Sequence, residues 1–407
     1  MNVIFVEPAF PPNQREFVRG LAEAGADVIG IGERPADWLD ADLRGWMLHY
    51  QQIPNVTDVG ALIEAVRFAQ SKVWVDALES TIESHTMAAA YAREACGIPG
   101  TSVHTAYLCR DKPAMKEALR AVGIQTAQST GATSAAEVRD FVARVGYPMI
   151  LKPRAAAGAS GTVRVDSDAE LERALADLGQ SGATDIAVEE FVEGHEGFYD
   201  TVSIDGHPVY DFISHYYPNV LEAMRERWIS PQFISTNRVD TAPDYAEVRE
   251  LGLRAIEALG IGTSATHMEW FFGPKGLRFS EIGCRPPGVR AWDLYSAGND
   301  IDIYREWANS IVHHRVDRPL TRRRAAGIVA LRPDGDGVIT HYDGLEEVQR
   351  QFGDWILDSY IPPSGTATQA VEAGYMANAW IRMAHPDFDT VHHMLNVAGE
   401  TVRVHAS

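Results

Sequence analysis

Two glutamates twelve positions apart, Glu269 and Glu281, stand in a segment that reads as a β-hairpin. Its two apolar runs, Met268-Glu-Trp-Phe-Phe272 and Leu277-Arg-Phe-Ser-Glu-Ile282, are separated by Gly273-Pro-Lys-Gly276. Pro274 suits position i+1 of a type I turn and Gly276 the left-handed residue after it, which is the three-residue hairpin with a G1 bulge. That turn predicts Gly273 opposite Leu277, Phe271 opposite Phe279 and Glu269 opposite Glu281, with the two carboxylates roughly 5 Å apart at Cβ. Like charges facing each other destabilise a hairpin, so the pair needs a cation. Hard oxygen ligands of this kind suit Mg²⁺ held against nucleotide phosphates. A two-residue turn would place the glutamates on opposite faces, as ordinary solvated charges.

Lysine usage supplies a second signal. Only five of the 36 basic residues are lysine (72, 112, 116, 152 and 275), so the chain rarely uses lysine where either cation would serve. Lys112, in an Asp-Lys pair, and Lys152, at the end of the apolar run Tyr147-Pro-Met-Ile-Leu151, therefore stand out. A compact ammonium suits phosphate as a point charge. After Lys152 the chain runs Pro-Arg-Ala-Ala-Ala-Gly-Ala-Ser-Gly-Thr162, and the small residues Gly158, Ser160 and Gly161 would let backbone N–H groups approach phosphate oxygens. Taken alone, such a loop is as well read as a hairpin connection, and the lysines as surface charges.

Ile186-Ala-Val-Glu-Glu-Phe-Val-Glu-Gly-His-Glu196 reads as a strand entering a polar segment, able to offer backbone groups to a base and a carboxylate to ribose; isolated glutamates of this kind are more often surface charges. Directly after the hairpin, Arg285-Pro-Pro-Gly-Val-Arg290 has its path fixed by two prolines and a glycine. Arg290 is a candidate bidentate clamp on a substrate carboxylate, with pairing to Asp293 as the structural alternative. The stretch from Tyr210 to Asp240, with His215-Tyr-Tyr217, Trp228 and several arginines, is where an acceptor pocket is expected. Motifs of other chemistries are missing: there is no G-x-x-x-x-G-K-[ST], no G-x-S-x-G, and His195-Glu196 lacks the second histidine of H-E-x-x-H. His313-His314 and His392-His393 are adjacent pairs, better suited to surfaces than to metal.

The elements that must position these residues alternate strand and helix at the start. Strands are expected at Val3–Val6, Asp27–Ile31 and Val73–Asp76, and helices over Asn13–Ala24, Asp58–Gln70 and Ile82–Cys96. Such alternation implies a parallel sheet and an α/β domain, ending between Gly97 and Thr105. Ser134…Glu137 and Ser167…Glu170 read as capping boxes opening two helices that flank the strand delivering Lys152. A helix over Asp244–Leu259 precedes the hairpin, and after about Leu320 short strands and one helix, Leu345–Phe352, suggest a small α+β unit.

A chain of 407 residues has room for two to three domains. Its net charge of −20 disfavours nucleic acid and anionic lipid as partners, leaving small molecules. With no apolar run of membrane-spanning length, no basic leader and three cysteines without metal or redox spacing, a cytoplasmic protein with free thiols is expected.

The order of these motifs resembles the ATP-grasp superfamily, and looks closest to its carboxylate–amine ligases, including the L-amino-acid ligase type; the architecture is similar to that of biotin carboxylase and D-alanine–D-alanine ligase. The resemblance implies an α/β plus α+β fold: a Rossmann-like pre-ATP-grasp domain over 1–100, an ATP-grasp domain over 101–310 with a lid at about 120–190, and a C-terminal α+β unit over 311–407. By the same resemblance Lys112 and Lys152 contact ATP phosphates under the loop carrying Gly158, Ser160 and Gly161. Glu190, Phe191 and Val192 form the adenine hinge with Glu189 beside the base, and Glu196 takes the ribose. Glu269 and Glu281 would hold one or two Mg²⁺, with Mn²⁺ as a substitute, and Arg285 would stabilise the transferring phosphate. Gly283 stands where the family usually has asparagine, which puts the second ion in doubt. The implied reaction joins a small-molecule carboxylate to an amine through an acyl-phosphate, releasing ADP and phosphate, with a homodimer as the candidate assembly. A bicarbonate-using carboxylase or carbamoyl-phosphate-type enzyme, and a nucleotide-binding protein without chemistry, are the competing readings.

Overall fold

The computed structural model describes residues 1–154, 161–180, 185–371 and 378–407. The chain opens with β1 (Asn2–Val6), β2 (Asp27–Gly32), β3 (Met47–Gln52) and β4 (Ala77–Glu79), a parallel sheet in the order β3-β2-β1-β4. β1 is apolar from Val3 to Val6 because both faces are covered: Val3 and Phe5 pack with Phe17 on one side, Ile4 and Val6 with Leu62 and Leu78 on the other. The fourth strand lies later than the sequence suggests. Val73 to Asp76 form no strand; Asp76 accepts the Asn2 N–H at 2.7 Å through its carboxylate and donates its own N–H to the Asn2 carbonyl at 2.9 Å, Trp74 is exposed, and the ladder with β1 starts at Ala77. The edge strand β3, whose Leu48 faces solvent, gave no alternating pattern and went unanticipated.

A second, antiparallel sheet follows: β5 (Ser129–Ala132), β6 (Met149–Pro153), β7 (Val163–Val165) and β8 (Ile186–Glu190), in the order β5-β8-β6-β7. Its core is Val138, Phe141, Met149, Leu151, Leu171 and Val188. Ser134 caps its helix as expected, but the Glu137 carboxylate accepts from Thr133 N at 2.7 Å, one residue before the cap. Glu170 does the same with Asp166 N at 2.8 Å.

The rest of the chain builds one large antiparallel sheet. It contains β9 (His195–Ile204), β10 (His207–Tyr217), β11 (Gln232–Ser235), β12 (Ser264–Gly273), β13 (Gly276–Gly283) and β14 (Ala325–Leu331). After β15 (Ile339–Asp343), β16 (Ile356–Tyr360) and β17 (Ala379–His385) rejoin it, and β18 (Arg403–Ala406) pairs with β15 alone. The order is β13-β12-β9-β10-β11-β14-β17-β16. Strands after Leu320 thus extend the sheet that carries the hairpin, and a second late helix, Phe388–Thr401, packs on β14 and β17 through Leu395 and Ala398. Helix Tyr245–Ala258 covers the face bearing Met268 and Trp270, while Ala291–Asn299 and Ile303–Val312 cover the other and join it to the first domain around Phe17, Trp292 and Trp307.

The hairpin reaches its expected pairing by a different route. The turn has two residues, with Gly273 opposite Gly276, Phe272 opposite Leu277 and Trp270 opposite Phe279, so the three-residue turn is corrected. Gly276 still takes the left-handed conformation, at φ 74°. One extra residue, Ser280, then bulges out of β13 and shifts the register, and Glu269 falls opposite Glu281 after all.

Candidate active site

Three adjacent strands carry acidic side chains on one face. β9 places Phe198 beside Glu269 of β12, which faces Glu281 of β13; the next row is Asp200, His267 and Gly283. Because side chains alternate along a strand, Glu196, Asp200, His267, Glu269 and Glu281 all point to the same side. Glu196 is buried, accepts the Val220 N–H at 2.7 Å, and has its pKa pushed up to about 8 by burial and by the neighbouring Glu269. His267 holds Asp200 at 2.7 Å through Nδ1 and lies 3.7 Å from Glu269 through Nε2. Burial opposes charge on this imidazole, but Asp200 outweighs it and raises the pKa to about 9.

Lysines meet this face from two elements. Asp111 caps helix Lys112–Ala121 by accepting Ala114 N–H at 2.9 Å, and it also pairs with Arg154 at 2.8 Å, tying the helix to the end of β6. Lys112 and Lys116, one turn apart on that helix, are both buried. Lys112 Nζ lies 3.2 Å from Glu281 Oε2, and Lys152 Nζ reaches the same oxygen at 4.0 Å. Glu189 Oε2 is shared by Lys116 at 2.7 Å and Lys152 at 2.9 Å. Burial would raise the Glu189 pKa, but the two ammoniums overcome it and hold the group at about 2. Burial brings Lys116 down to about 8, while Lys152, facing Glu189 and Glu281, stays above its ordinary value. The second oxygen of Glu189 is buried without a hydrogen-bond partner among the described residues.

The hinge follows β8. Glu190 N–H donates to Gln128 C=O and Phe191 N–H to Pro148 C=O, whereas Val192 N–H makes no backbone hydrogen bond among the described residues. The Glu190 carboxylate points outward to Gln128 and Lys275, and Arg164 stacks over Phe191 at 4.2 Å. Gly161 takes φ 68° just before β7, and Gly158 and Ser160 lie outside the described residues. Arg285 is partly buried and held by Glu83 at 2.6 Å, a residue of the first domain that also pairs with Arg110 at 2.7 Å.

Residues 117–295 match the ATP-grasp domain family. Over those residues, under half of its length, the chain is similar to ATP-grasp domains. It is 25% identical over 371 residues to the L-arginine-specific L-amino acid ligase of Bacillus subtilis, covering 88% of this chain and 87% of that one. It is also 25% identical to an uncharacterized protein, y4rH, of Sinorhizobium fredii, over 65% of this chain but only 55% of that relative's length. Among solved structures, the L-amino acid ligase from Bacillus licheniformis superimposes with a TM-score of 0.79 over 100% of this chain and 98% of its own, at 18% identity, a likeness of fold.

The structure gives two of the sequence expectations other surroundings. Arg290 is half-exposed and its guanidinium is spent on Asp293 at 2.6 Å, so it is not a free clamp. His215 and Tyr217 lie on the opposite face of the sheet from Glu269, His215 stacked with His195 and edge-on to Trp270 and Tyr217 stacked with His392, whereas Tyr216 between them shares the Glu269 face and packs on Phe198; Trp228 is exposed against Glu226. Period-two alternation decides this, because β10 pairs His215 with Gly197, one residue out of phase with Glu196.

Sequence reasoning missed Lys116, Glu83 and the Asp200–His267 pair. Lys116 had a signal, since it is one of five lysines and four residues from Lys112. Glu83 had none: only the fold brings the end of β4 to Arg285. The residues present fit a hard divalent cation by their chemistry, since Glu269 and Glu281 face each other as oxygen donors, and their negative charge is what helps push the pKa of the neighbouring Glu196 up. Gly283 contributes no side chain, and opposite it stands His267, a charge partner of Asp200 rather than an oxygen donor.

Proposed function

We propose that this protein is an ATP-dependent ligase that joins a carboxylate to an amine through an acyl-phosphate and releases ADP and phosphate. The observation that carries this reading is the convergence of Lys112, Lys116 and Lys152 on Glu189 and Glu281, beside the Glu269–Glu281 pair. Lysines facing paired carboxylates can hold the negative oxygens of a triphosphate and the cation that travels with it. On this reading Lys112 and Lys152 bind the phosphates, and the Val192 N–H and the unpartnered oxygen of Glu189 are available to the adenine edge. Phe191 lies in the same hinge, Glu190 offers its backbone there, and Glu196 takes the ribose. Bound Mg²⁺, held by Glu269 and Glu281, would neutralise charge on the transferring phosphoryl group.

In the first step a carboxylate oxygen of the substrate attacks the γ-phosphorus and ADP leaves. In the second the amine attacks the acyl carbon, a proton leaves the nitrogen, and phosphate departs. Arg285, kept in one pose by Glu83, is positioned to stabilise negative charge on the acyl-phosphate. The likeness to L-amino acid ligases makes amino acids the first substrates to try on both sides of the bond. We read residues 1–100, 101–310 with a lid at about 120–190, and 311–407 as the three units of a cytoplasmic enzyme.

The test is ADP release from ATP with pairs of amino acids and small carboxylic acids, with products read by mass. Pair-dependent ADP and a product lighter by water than its two parts support the ligase. AMP and pyrophosphate would overturn it; release driven by bicarbonate alone would favour the carboxylase reading, and none with any pair a binding protein.

A further inference from the structure

Away from the ATP site, the two-stranded sheet of β15 and β18 brings two histidines and two aspartates together. His341 lies opposite His405 and Asp343 opposite Arg403. One ligand atom each from His341, Asp343 and His405 lie within 4.8 Å of one another. His405 Nε2 is 3.1 Å from Asp343 Oδ2. Two ligands sharing one tetrahedral ion, with bonds of about 2.0–2.2 Å, sit about 3.3 Å apart, so this pair already has the spacing of a shared ion.

The surroundings of His405 are those of a metal-bound imidazole. Its other nitrogen, Nδ1, meets Asp334 Oδ2 at 2.9 Å, and the second Asp334 oxygen is fixed by accepting the Ala406 N–H at 2.9 Å. A carboxylate behind a histidine in this way sets the tautomer and aims the far nitrogen at a metal. The rings of His341 and His405 stack with centroids 4.3 Å apart, and Thr340 Oγ1 holds His341 Nδ1 at 3.0 Å. His341 is exposed, so a small side-chain rotation closes the remaining gap to a shared ion.

We propose that His341, Asp343 and His405 form a binding site for a transition-metal ion of the Zn²⁺ class, oriented by Asp334. Imidazole ligands select Zn²⁺ and its neighbours over Mg²⁺, which distinguishes this site from the all-carboxylate pair at Glu269 and Glu281. The ion would clip β18 to β15 and thereby pin residues 403–405 to a segment more than 60 positions earlier in the chain.

The experiment uses the full chain, stripped with chelator, titrated with Zn²⁺ in excess Mg²⁺ and ADP so that the carboxylate site is occupied, and compared with His405→Gln and His341→Gln. Wild type should bind one more equivalent of Zn²⁺ than either variant, and Zn²⁺ should raise its melting temperature by several degrees but not that of the variants. Co²⁺ in place of Zn²⁺ should give wild type, and not the variants, the visible absorption of tetrahedral cobalt. ATP-dependent activity should be equal in all three proteins, reporting that the variants fold. Equal Zn²⁺ stoichiometry in wild type and either variant overturns the proposal, as does a Zn²⁺-induced stabilisation that persists in His405→Gln.

Discussion

Lys116 Nζ lies 2.7 Å from Glu189 Oε2, the same oxygen that Lys152 meets at 2.9 Å. One buried carboxylate therefore compensates two buried ammoniums. Removing it while leaving the lysines takes from Lys116 its 2.7 Å partner and leaves Lys152 facing Glu281 at 4.0 Å, and breaking a buried pair in this way costs about 3–5 kcal/mol. Glu189→Gln should lose that much stability at pH 7. The sign with pH follows from the depressed pKa: the stabilisation is complete above the ordinary carboxyl value of 4.5 and is lost as pH falls through about 2. Urea unfolding midpoints of wild type and variant should therefore converge as pH drops through that window. A gap that stays constant down to pH 2 would show that Glu189 is not the charged partner.

The two lysines differ in what else they face. Lys152 also looks onto Glu281, whereas Lys275 pairs at the surface with Glu190 and Lys72 lies over Phe68. Lys152→Ala should raise the KM for ATP, or lower kcat, by about tenfold or more, the scale of one charge-assisted contact to phosphate. Lys72→Ala and Lys275→Ala should stay within about twofold, since exposed pairs contribute little. Steady-state kinetics with ATP varied checks this, and similar losses in all three variants would remove Lys152 from the phosphate site.

Much of this arrangement was legible in the residues because it depends on local pattern. The parallel opening shows in apolar runs such as Val3–Val6, and the facing of Glu269 and Glu281 in the hairpin segment. The facing survived an error in the turn, because the bulge at Ser280 restored the register that a two-residue turn would have broken. What the sequence could not show depends on which strands become neighbours. Glu83 reaches Arg285 across 202 positions, and His267 meets Asp200 only because β9 and β12 pair. His215 and Tyr217 carry attractive chemistry in sequence, yet their side of the sheet is set by a pairing register no local pattern specifies.

Glu269→Gln and Glu281→Gln each remove one negative oxygen donor from a facing pair while keeping side-chain volume. Turnover should fall about a hundredfold or more, and higher Mg²⁺ should be needed to reach half-maximal rate, because a divalent ion loses a charged ligand. The fold should persist in Glu269→Gln, where like-charge repulsion across the hairpin is relieved, while Glu281→Gln also takes the 3.2 Å partner from Lys112 and should lower the melting temperature without unfolding the chain. Full activity in both variants at ordinary Mg²⁺ would show that the pair holds no ion, and loss of the far-ultraviolet dichroism would show that it is structural.

Arg285 and Arg290 stand five residues apart, and the structure separates their roles. Arg285 is partly buried, with Glu83 at 2.6 Å, and Glu83 would still have Arg110 if Arg285 were removed. Arg290 is half-exposed on Asp293, which Arg382 at 2.5 Å and Tyr304 at 2.9 Å also hold. Arg285→Ala should therefore lower kcat by about a hundredfold, the scale of losing one donor to developing phosphate charge, and Arg285→Lys should restore little because an ammonium lacks the planar fork. Arg290→Ala should leave both substrate KM values unchanged and cost about 0–1 kcal/mol, as a surface pair does. The checks are initial rates with each substrate varied and a thermal melt of each variant. A raised KM for the acid substrate in Arg290→Ala, without a change in melting temperature, would return Arg290 to the substrate site and reverse this assignment.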